Sequence, residues 1–369
     1  MTNVLVIDCF KQVKGAGKSI GIYNLALNLV RNLGIQKQNG MLQDEKIIVL
    51  GNEHNRKDFE VEGIEFIQVP YNPLNKLRCI WWELFQVPCW GKKLHADRIV
   101  FPRGFGSMLC LCKETIIIHD MIPFYYHEHF PDFFNKLENF YIMWRLKASA
   151  RKSDQIITIS EASKRDILHY SHCDERKIVV INNGYNGMKN IPEHVEKEDY
   201  IIAVTSGLPH KNAEGIVKAY DAYYKKAQSP LPLKIIGIAD VEKYALQDMV
   251  KAKITCYKYI ESDLEMHEMI AKAKVFLFLS LVEGFGFPPI EAMQLGTPVI
   301  CSGITSLPEV VGDAAVLVSP DDFSGVADEL IALLQDEEKQ QDLVKKGYEN
   351  IRRFSWDSMI KKYMEVLTR

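Results

Sequence analysis

The chain has 369 residues, 47% of them hydrophobic and 25% charged, with a formal net charge of −3. This is ordinary globular material, long enough for two domains with a core each, and as one domain it would be unusually large. The charge gives no global pull toward nucleic acid, and eight scattered cysteines without a C-x-x-C give no zinc or redox site.

A strand-like run begins at Val4, which reads against a signal peptide, and no apolar stretch reaches the roughly 18 residues of a membrane span, so a cytoplasmic protein is expected. Further short apolar runs follow at Ile47 to Leu50, Ile116 to Ile118, Ile156 to Ile159 and Val179 to Ile181. A second series holds Tyr200 to Val204, Leu233 to Ile238, Val275 to Leu279 and Val299 to Ile300. Helical patterns separate the runs, an alternation that predicts parallel sheets with helical crossovers. The polar stretch Asn190 to Asp199, with Pro192 and four acids, lies between the two series. It sets the expected domains at 1–189 and 190–353, followed by a terminal helix over 354–369.

Gly15-Ala16-Gly17-Lys18-Ser19 follows the first strand and opens a helix near Ile20 to Val30. Its GKS ending matches a P-loop, but that motif needs glycine where this chain has Gln12, so the phosphate-wrapping nest is not specified. The segments Leu77 to Trp90 and Phe133 to Lys147 are rich in aromatics and have Arg78, Lys92, Lys93, Arg145, Lys147, Arg151 and Lys152 within or beside them. Apolar faces flanked by cations suit an anionic membrane surface, and core helices with solvated basic faces are the alternative.

His119 and Asp120 end the strand Ile116 to Ile118, but neighbours on a strand point to opposite sides and need not form a dyad. His127-Glu128-His129 lacks a third and fourth ligand at any recognisable spacing, and the chain has no D-x-D, so no metal site is expected. Ser160 is placed to cap the helix after the next strand, and Asn182-Asn183-Gly184 reads as a turn. In the second series, Thr205-Ser206-Gly207-Leu208-Pro209-His210-Lys211-Asn212 joins a strand to a helix. Lys211 there can act as a point charge on a diphosphate beside a helix start.

The most informative stretch is Glu283-Gly284-Phe285-Gly286-Phe287-Pro288-Pro289-Ile290-Glu291, running on to Gly296-Thr297-Pro298-Val299-Ile300. An unbroken apolar strand precedes it, two glycines let the backbone bend and approach a ligand, and proline stands where a helix begins. Bare amides at that helix start attract an anion, and Glu283 and Glu291 are spaced to face the crevice beyond the strand's carboxyl end. Downstream, Ser306 to Val310 reads as a short helix start, Ser324 to Asn350 is helical nearly throughout, and a helix from Trp356 reaches about Leu367.

The form EGFGFPPIEAMQLGTPVI resembles the E-x7-E signature of glycosyltransferase family 4, retaining enzymes of the GT-B fold. The resemblance covers most of the chain. It implies an α/β architecture of two Rossmann-like domains whose parallel sheets face a central cleft, with the last helix crossing back to the first domain and Trp356 as an anchor. It places Glu291 on the ribose of a nucleotide sugar and Glu283 by the transferred sugar. Lys211, in the family's PHKN form, becomes the phosphate cation, assisted by Ser206, Gly207, Gly284 and the amides of Phe285 and Gly286. Leu208 stands where many relatives have arginine, so neutralisation leans harder on Lys211. His119 would reach the donor sugar and Asp120 fix its loop, while Ser160 lies on a loop near the donor and the glycine loop of Gly15 and Gly17 over the diphosphate or acceptor.

The expected activity is retaining, metal-independent hexosyl transfer from a nucleotide diphosphate sugar, with GDP-mannose favoured. The expected acceptor is a glycan or lipid-linked glycan of a cell-surface polysaccharide, with no cofactor, no nucleic acid partner and peripheral contact at the inner face of the cytoplasmic membrane. A nucleotide-sugar-binding subunit without turnover, or a P-loop-like NTPase, is the alternative.

Overall fold

A computed structural model describes residues 3–15, 20–109, 111–188 and 195–368. The chain forms two compact units, one of 1–184 with 355–369 and the other of 185–354.

The first unit is built on seven parallel strands: β1 (Asn3–Asp8), β2 (Glu45–Gly51), β3 (Glu65–Gln68), β4 (Arg98–Phe101), β5 (Lys113–Ile118), β6 (Gln155–Thr158) and β7 (Ile178–Val180). Their order is β3-β2-β1-β4-β5-β6-β7, so the winding reverses between β1 and β4. The second unit has six: β8 (Ile201–Val204), β9 (Leu233–Ile236), β10 (Ile254–Tyr257), β11 (Val275–Phe278), β12 (Val299–Ser302) and β13 (Val316–Val318), ordered β10-β9-β8-β11-β12-β13. Its reversal falls between β8 and β11, and the crevice outside the carboxyl ends at such a point is where open α/β sheets take ligands.

Strands buried on both faces explain the unbroken apolar runs. In the second sheet Ile201, Ala203, Val275 and Leu277 face one helical layer, while Ile202, Phe276 and Phe278 face the other. Strands β3, β4, β10 and β13 fall outside the apolar runs of the sequence. Three of them are sheet edges, where one side of the ladder is unpaired and a short, mixed sequence suffices. The central β4 opens on Arg98, which is buried because its guanidinium donates to Thr115 Oγ1 at 2.7 Å.

The division between units falls after Gly184, ahead of the polar stretch that the sequence favours. Tyr185 to Met188 belong to the second unit because Gln294 holds them there: its Oε1 accepts from the Tyr185 hydroxyl and, at 2.8 Å, from the Met188 N–H. Residues 189–194 of that stretch lie outside the described residues. The helix Trp356–Leu367 packs in the first unit on a single stripe of Trp356, Met359, Ile360, Tyr363 and Leu367. The indole of Trp356 covers Gly184 so closely that a Cβ there would come within 2.4 Å of the ring.

Candidate active site

In the second unit two loops leave adjacent strands at the reversal point. The first runs from the end of β8 to the helix Ala213–Lys226, and Asn212 fixes it. Asn212 takes a left-handed backbone (φ 55°), its Oδ1 accepts from the Gly215 N–H at 3.0 Å, and its Nδ2 donates to the Leu279 carbonyl at 2.8 Å. One side chain therefore caps the helix and ties the loop to the end of β11. Leu281 N–H donates to the His210 carbonyl at 2.8 Å, and Thr205 Oγ1 to the Lys211 carbonyl at 2.8 Å. Ser206 Oγ accepts from Leu208 N–H at 3.3 Å, shaping the turn around Gly207, where a Cβ would meet open space.

The second loop follows β11. Gly286 has φ 100°, a conformation that favours glycine, and a Cβ on it would lie 2.5 Å from Leu307 Cδ2 and push that side chain aside. Ser306, fully buried, holds the loop from below: its hydroxyl lies 2.9 Å from the carbonyls of both Glu283 and Phe285, one proton shared between them. Glu283 N–H donates to Thr305 Oγ1 at 3.3 Å. Gly286 precedes the helix Phe287–Gln294, which has no side-chain cap, and among the described residues the N–H groups of Phe285 and Gly286 meet no acceptor. Buried amides in this state are rare, and a ligand is one way to complete them.

These loops bring Lys211 and Glu283 together as an ion pair, Nζ to Oε1 at 2.7 Å, with the glutamate side chain 9% exposed and the lysine 24%. Such shielding reduces the screening of their attraction, and it sets a desolvation cost on both charges against that gain. Glu291, about one turn into the second helix, is half-buried and has no hydrogen-bond donor among the described residues. Its carboxyl is pushed up to about 7, first by burial and then by the charge of Asp263. His210 is buried, which with the neighbouring Lys211 ammonium lowers its imidazole to about 4.

In the first unit the strand ends carry the other expected residues. His119 Nε2 lies 2.9 Å from the Pro102 carbonyl, which can only accept, so the proton sits on Nε2 and Nδ1 keeps a lone pair. Burial lowers the imidazole to about 4, with Pro102 opposing and Arg103 adding to the fall, so it is neutral at physiological pH. Asp120 Oδ1 accepts from Ile122 N–H at 3.0 Å, just ahead of the helix Ile122–His129. Ser160 Oγ caps the helix Glu161–Ser171 by accepting from Ser163 N–H at 3.0 Å, and Ser163 Oγ donates to the His119 carbonyl at 3.0 Å. Gly15 is exposed with φ 77°, whereas Gly17, with Ala16, Lys18 and Ser19, lies outside the described residues. Asp8, at the end of β1, is raised to about 7, chiefly by burial against the lowering effect of the Trp82 indole N–H at 3.0 Å.

Residues 186–350 match the family model described as glycosyl transferases group 1, and residues 42–186 match glycosyltransferase family 4. The O-antigen chain mannosyltransferase RfbU of Salmonella typhimurium is 30% identical over 82% of this chain and 84% of its own length. The chain belongs to glycosyltransferase family 4. An O-antigen chain mannosyltransferase B of Escherichia coli is 26% identical to this glycosyltransferase over 73% of the chain and 74% of its own length. Sucrose-phosphate synthase from Thermosynechococcus elongatus superposes with a TM-score of 0.68 at 18% identity, covering 99% of this chain and 98% of the other, and the fold is GT-B.

Four residues of the glycosyltransferase's second unit escaped the sequence reading. Asn212 had a legible signal, an asparagine three positions before Gly215 at a helix start. Thr305, Ser306 and Gln294 act over long sequence separations and leave none.

Proposed function

We propose that this glycosyltransferase is a retaining mannosyltransferase that moves mannose from GDP-mannose to a glycan or lipid-linked glycan acceptor in cell-surface polysaccharide synthesis. The observation that carries the reading is the second unit's trio at adjacent strand ends: a shielded Lys211–Glu283 pair and, among the described residues, two amides without acceptors and Glu291 without a donor. Cleaving the bond from sugar to diphosphate puts charge on the leaving phosphate. Lys211 and the amides of Phe285 and Gly286 are fixed donors for that charge and need little reorganisation to meet it. As Lys211 turns to the phosphate, Glu283 is freed to accept from hydroxyls of the transferred sugar. Glu291 accepts from the ribose hydroxyls, which replace the water its burial has removed. His119, neutral with Nδ1 as acceptor, takes a hydroxyl of the donor sugar.

Retention by double displacement needs a carboxylate nucleophile about 5 Å from its acid partner. The proposal instead has the acceptor attack on the face the phosphate leaves, with that phosphate taking its proton. The ammonium and amides supply the neutralisation, and the sequence has no D-x-D, so the reaction is proposed to run without metal. The mannosyl donor is favoured by the names of the two O-antigen relatives. Because nucleotide sugars are made inside the cell, the proposed site of action is cytoplasmic.

Screening GDP-mannose against UDP- and dTDP-sugars, for thermal stabilisation and donor hydrolysis with and without chelator, tests this reading. GDP-mannose should stabilise most, chelator should change nothing, and NMR of the product should show an α-linkage. A preferred uridine donor, a chelator-sensitive rate or a β-linkage would each remove the corresponding part.

A further inference from the structure

Glu291 has a neighbour to which the donor reading gives no task. The helix Asp263–Lys272 leaves the carboxyl end of β10, as the helix Phe287–Gln294 leaves that of β11, so both begin on the same rim of the second sheet. Ile270 and Ala271 of the first helix and Ala292 and Met293 of the second share one core layer with Ile202 and Phe276, which puts the two helices on the same face. Ser262 Oγ caps the first helix by accepting from Glu265 N–H at 3.2 Å, so Asp263 is not needed as its cap. The Asp263 side chain is exposed and has no hydrogen bond or ion pair among the described residues.

Two observations place Asp263 in a site rather than on a solvated helix end. Its charge reaches Glu291, adding to the burial that raises that carboxyl to about 7. It also reaches His267, one turn further along the same helix face, where it opposes the burial that lowers the imidazole. His267 is 9% exposed, and its Nδ1 is buried with no partner among the described residues. Two carboxyl groups and an imidazole therefore stand together, each with hydrogen-bonding capacity that the described residues leave unused. Ile260 and Met266, to either side of Asp263 in the chain, are half-buried against the same core layer and offer apolar surface to a flat ring.

The inference rests on the donor reading of Glu291. A nucleotide with its diphosphate on Lys211 and the loop amides, and its ribose hydroxyls on Glu291, carries its base past Glu291 on the side away from the phosphates. A carboxylate offers that base two acceptor oxygens. Guanine alone among the common bases sets two donors side by side on its pairing edge, the N1–H and the 2-amino group. Adenine turns the N1 lone pair toward a carboxylate, and uracil flanks its one N–H with two carbonyl oxygens, so both set acceptor against acceptor. We infer that Asp263 reads the base of the donor, its two oxygens accepting from the N1–H and 2-amino group of guanine, in a pocket walled by His267.

The test is calorimetric titration of the full chain with GDP, inosine diphosphate, ADP and UDP, for the parent and for Asp263→Asn. The parent should bind GDP about tenfold or more tighter than ADP and UDP. Inosine diphosphate, which keeps the N1–H but lacks the amino group, should fall between. Asp263→Asn should weaken GDP about tenfold while ADP holds within about twofold or tightens, because an amide gives adenine both a donor and an acceptor. The substitution is isosteric and exposed, so the variant should melt with the parent, as circular dichroism checks. An unchanged ratio of GDP to ADP affinity in the variant, or equal binding of GDP and inosine diphosphate by the parent, would overturn the inference and leave the donor reading standing. A parent that prefers UDP would overturn both.

Discussion

The strand ends of the two units carry similar polar residues and use them differently. In the first unit His119 Nε2 is engaged by Pro102, Asp120 by the Ile122 amide and Ser160 by the Ser163 amide, so each side chain holds backbone in place. In the second unit the comparable structural work falls to Asn212, Thr305 and Ser306, which leaves Glu291 and the amides of Phe285 and Gly286 without protein partners among the described residues. Polar groups at a strand end are common. Those whose neighbours have been assigned the scaffolding are the ones left available to a ligand.

Substitutions can break or sharpen that contrast. The largest effect is expected from Lys211→Ala, which under the proposed function removes a charge-assisted phosphate contact of roughly 1.5 to 3 kcal/mol and should lower turnover about tenfold to a hundredfold or more. Near-normal turnover in that variant would place the phosphate elsewhere. Next is Glu291→Gln. Below about pH 4.5 the carboxyl is protonated in both folded and unfolded chains, and the variant should match the parent. Between 4.5 and about 7 the unfolded chain ionises first, so the native glutamate loses stability as pH rises. The variant should therefore gain about 1 to 3 kcal/mol at pH 8, read from denaturant melts, even as it weakens donor binding. A gain that is the same at pH 4.5 would show that burial of charge is not the cause.

A smaller effect, opposite in direction to ordinary site damage, is expected from Glu283→Gln. Freeing Lys211 should tighten GDP binding about threefold to tenfold by calorimetry while turnover falls. Weaker GDP binding would show the pair to be scaffolding rather than a counter-ion waiting to be displaced. Smallest is Ser160→Ala in the first unit, which should cost about 1 kcal/mol of stability through the lost cap and leave the donor KM unchanged. A raised donor KM would erase the distinction between the units.

Much of this was legible in the sequence because the informative residues are local. The apolar run from Val275 forms a strand, Val275–Phe278, buried on both faces, Gly286 is needed for a positive φ, and Glu283 and Glu291 sit at fixed offsets from that turn. Asn212 could have been read from its spacing to Gly215. Other features depend on partners far along the chain, such as Ser306 beneath the glycine loop and Gln294 under Tyr185, and no local pattern announces them. The mutual neutralisation of Lys211 and Glu283 is of the same kind, since 72 positions separate the two residues. The strand β4 was hidden by its leading arginine, whose burial makes sense only once Thr115 is seen beside it.

The Lys211–Glu283 contact also bears on which solutes the resting protein ignores. An open ammonium beside bare amides would collect small anions such as orthophosphate and sulfate. With the glutamate already in place, a small anion gains little by displacing it. Only a molecule that brings several anionic oxygens at once, spaced to reach the ammonium and the loop nitrogens together, offers a better exchange. Under the proposed function, the carboxylate would thus set a threshold of ligand charge to be met before any sugar is recognised.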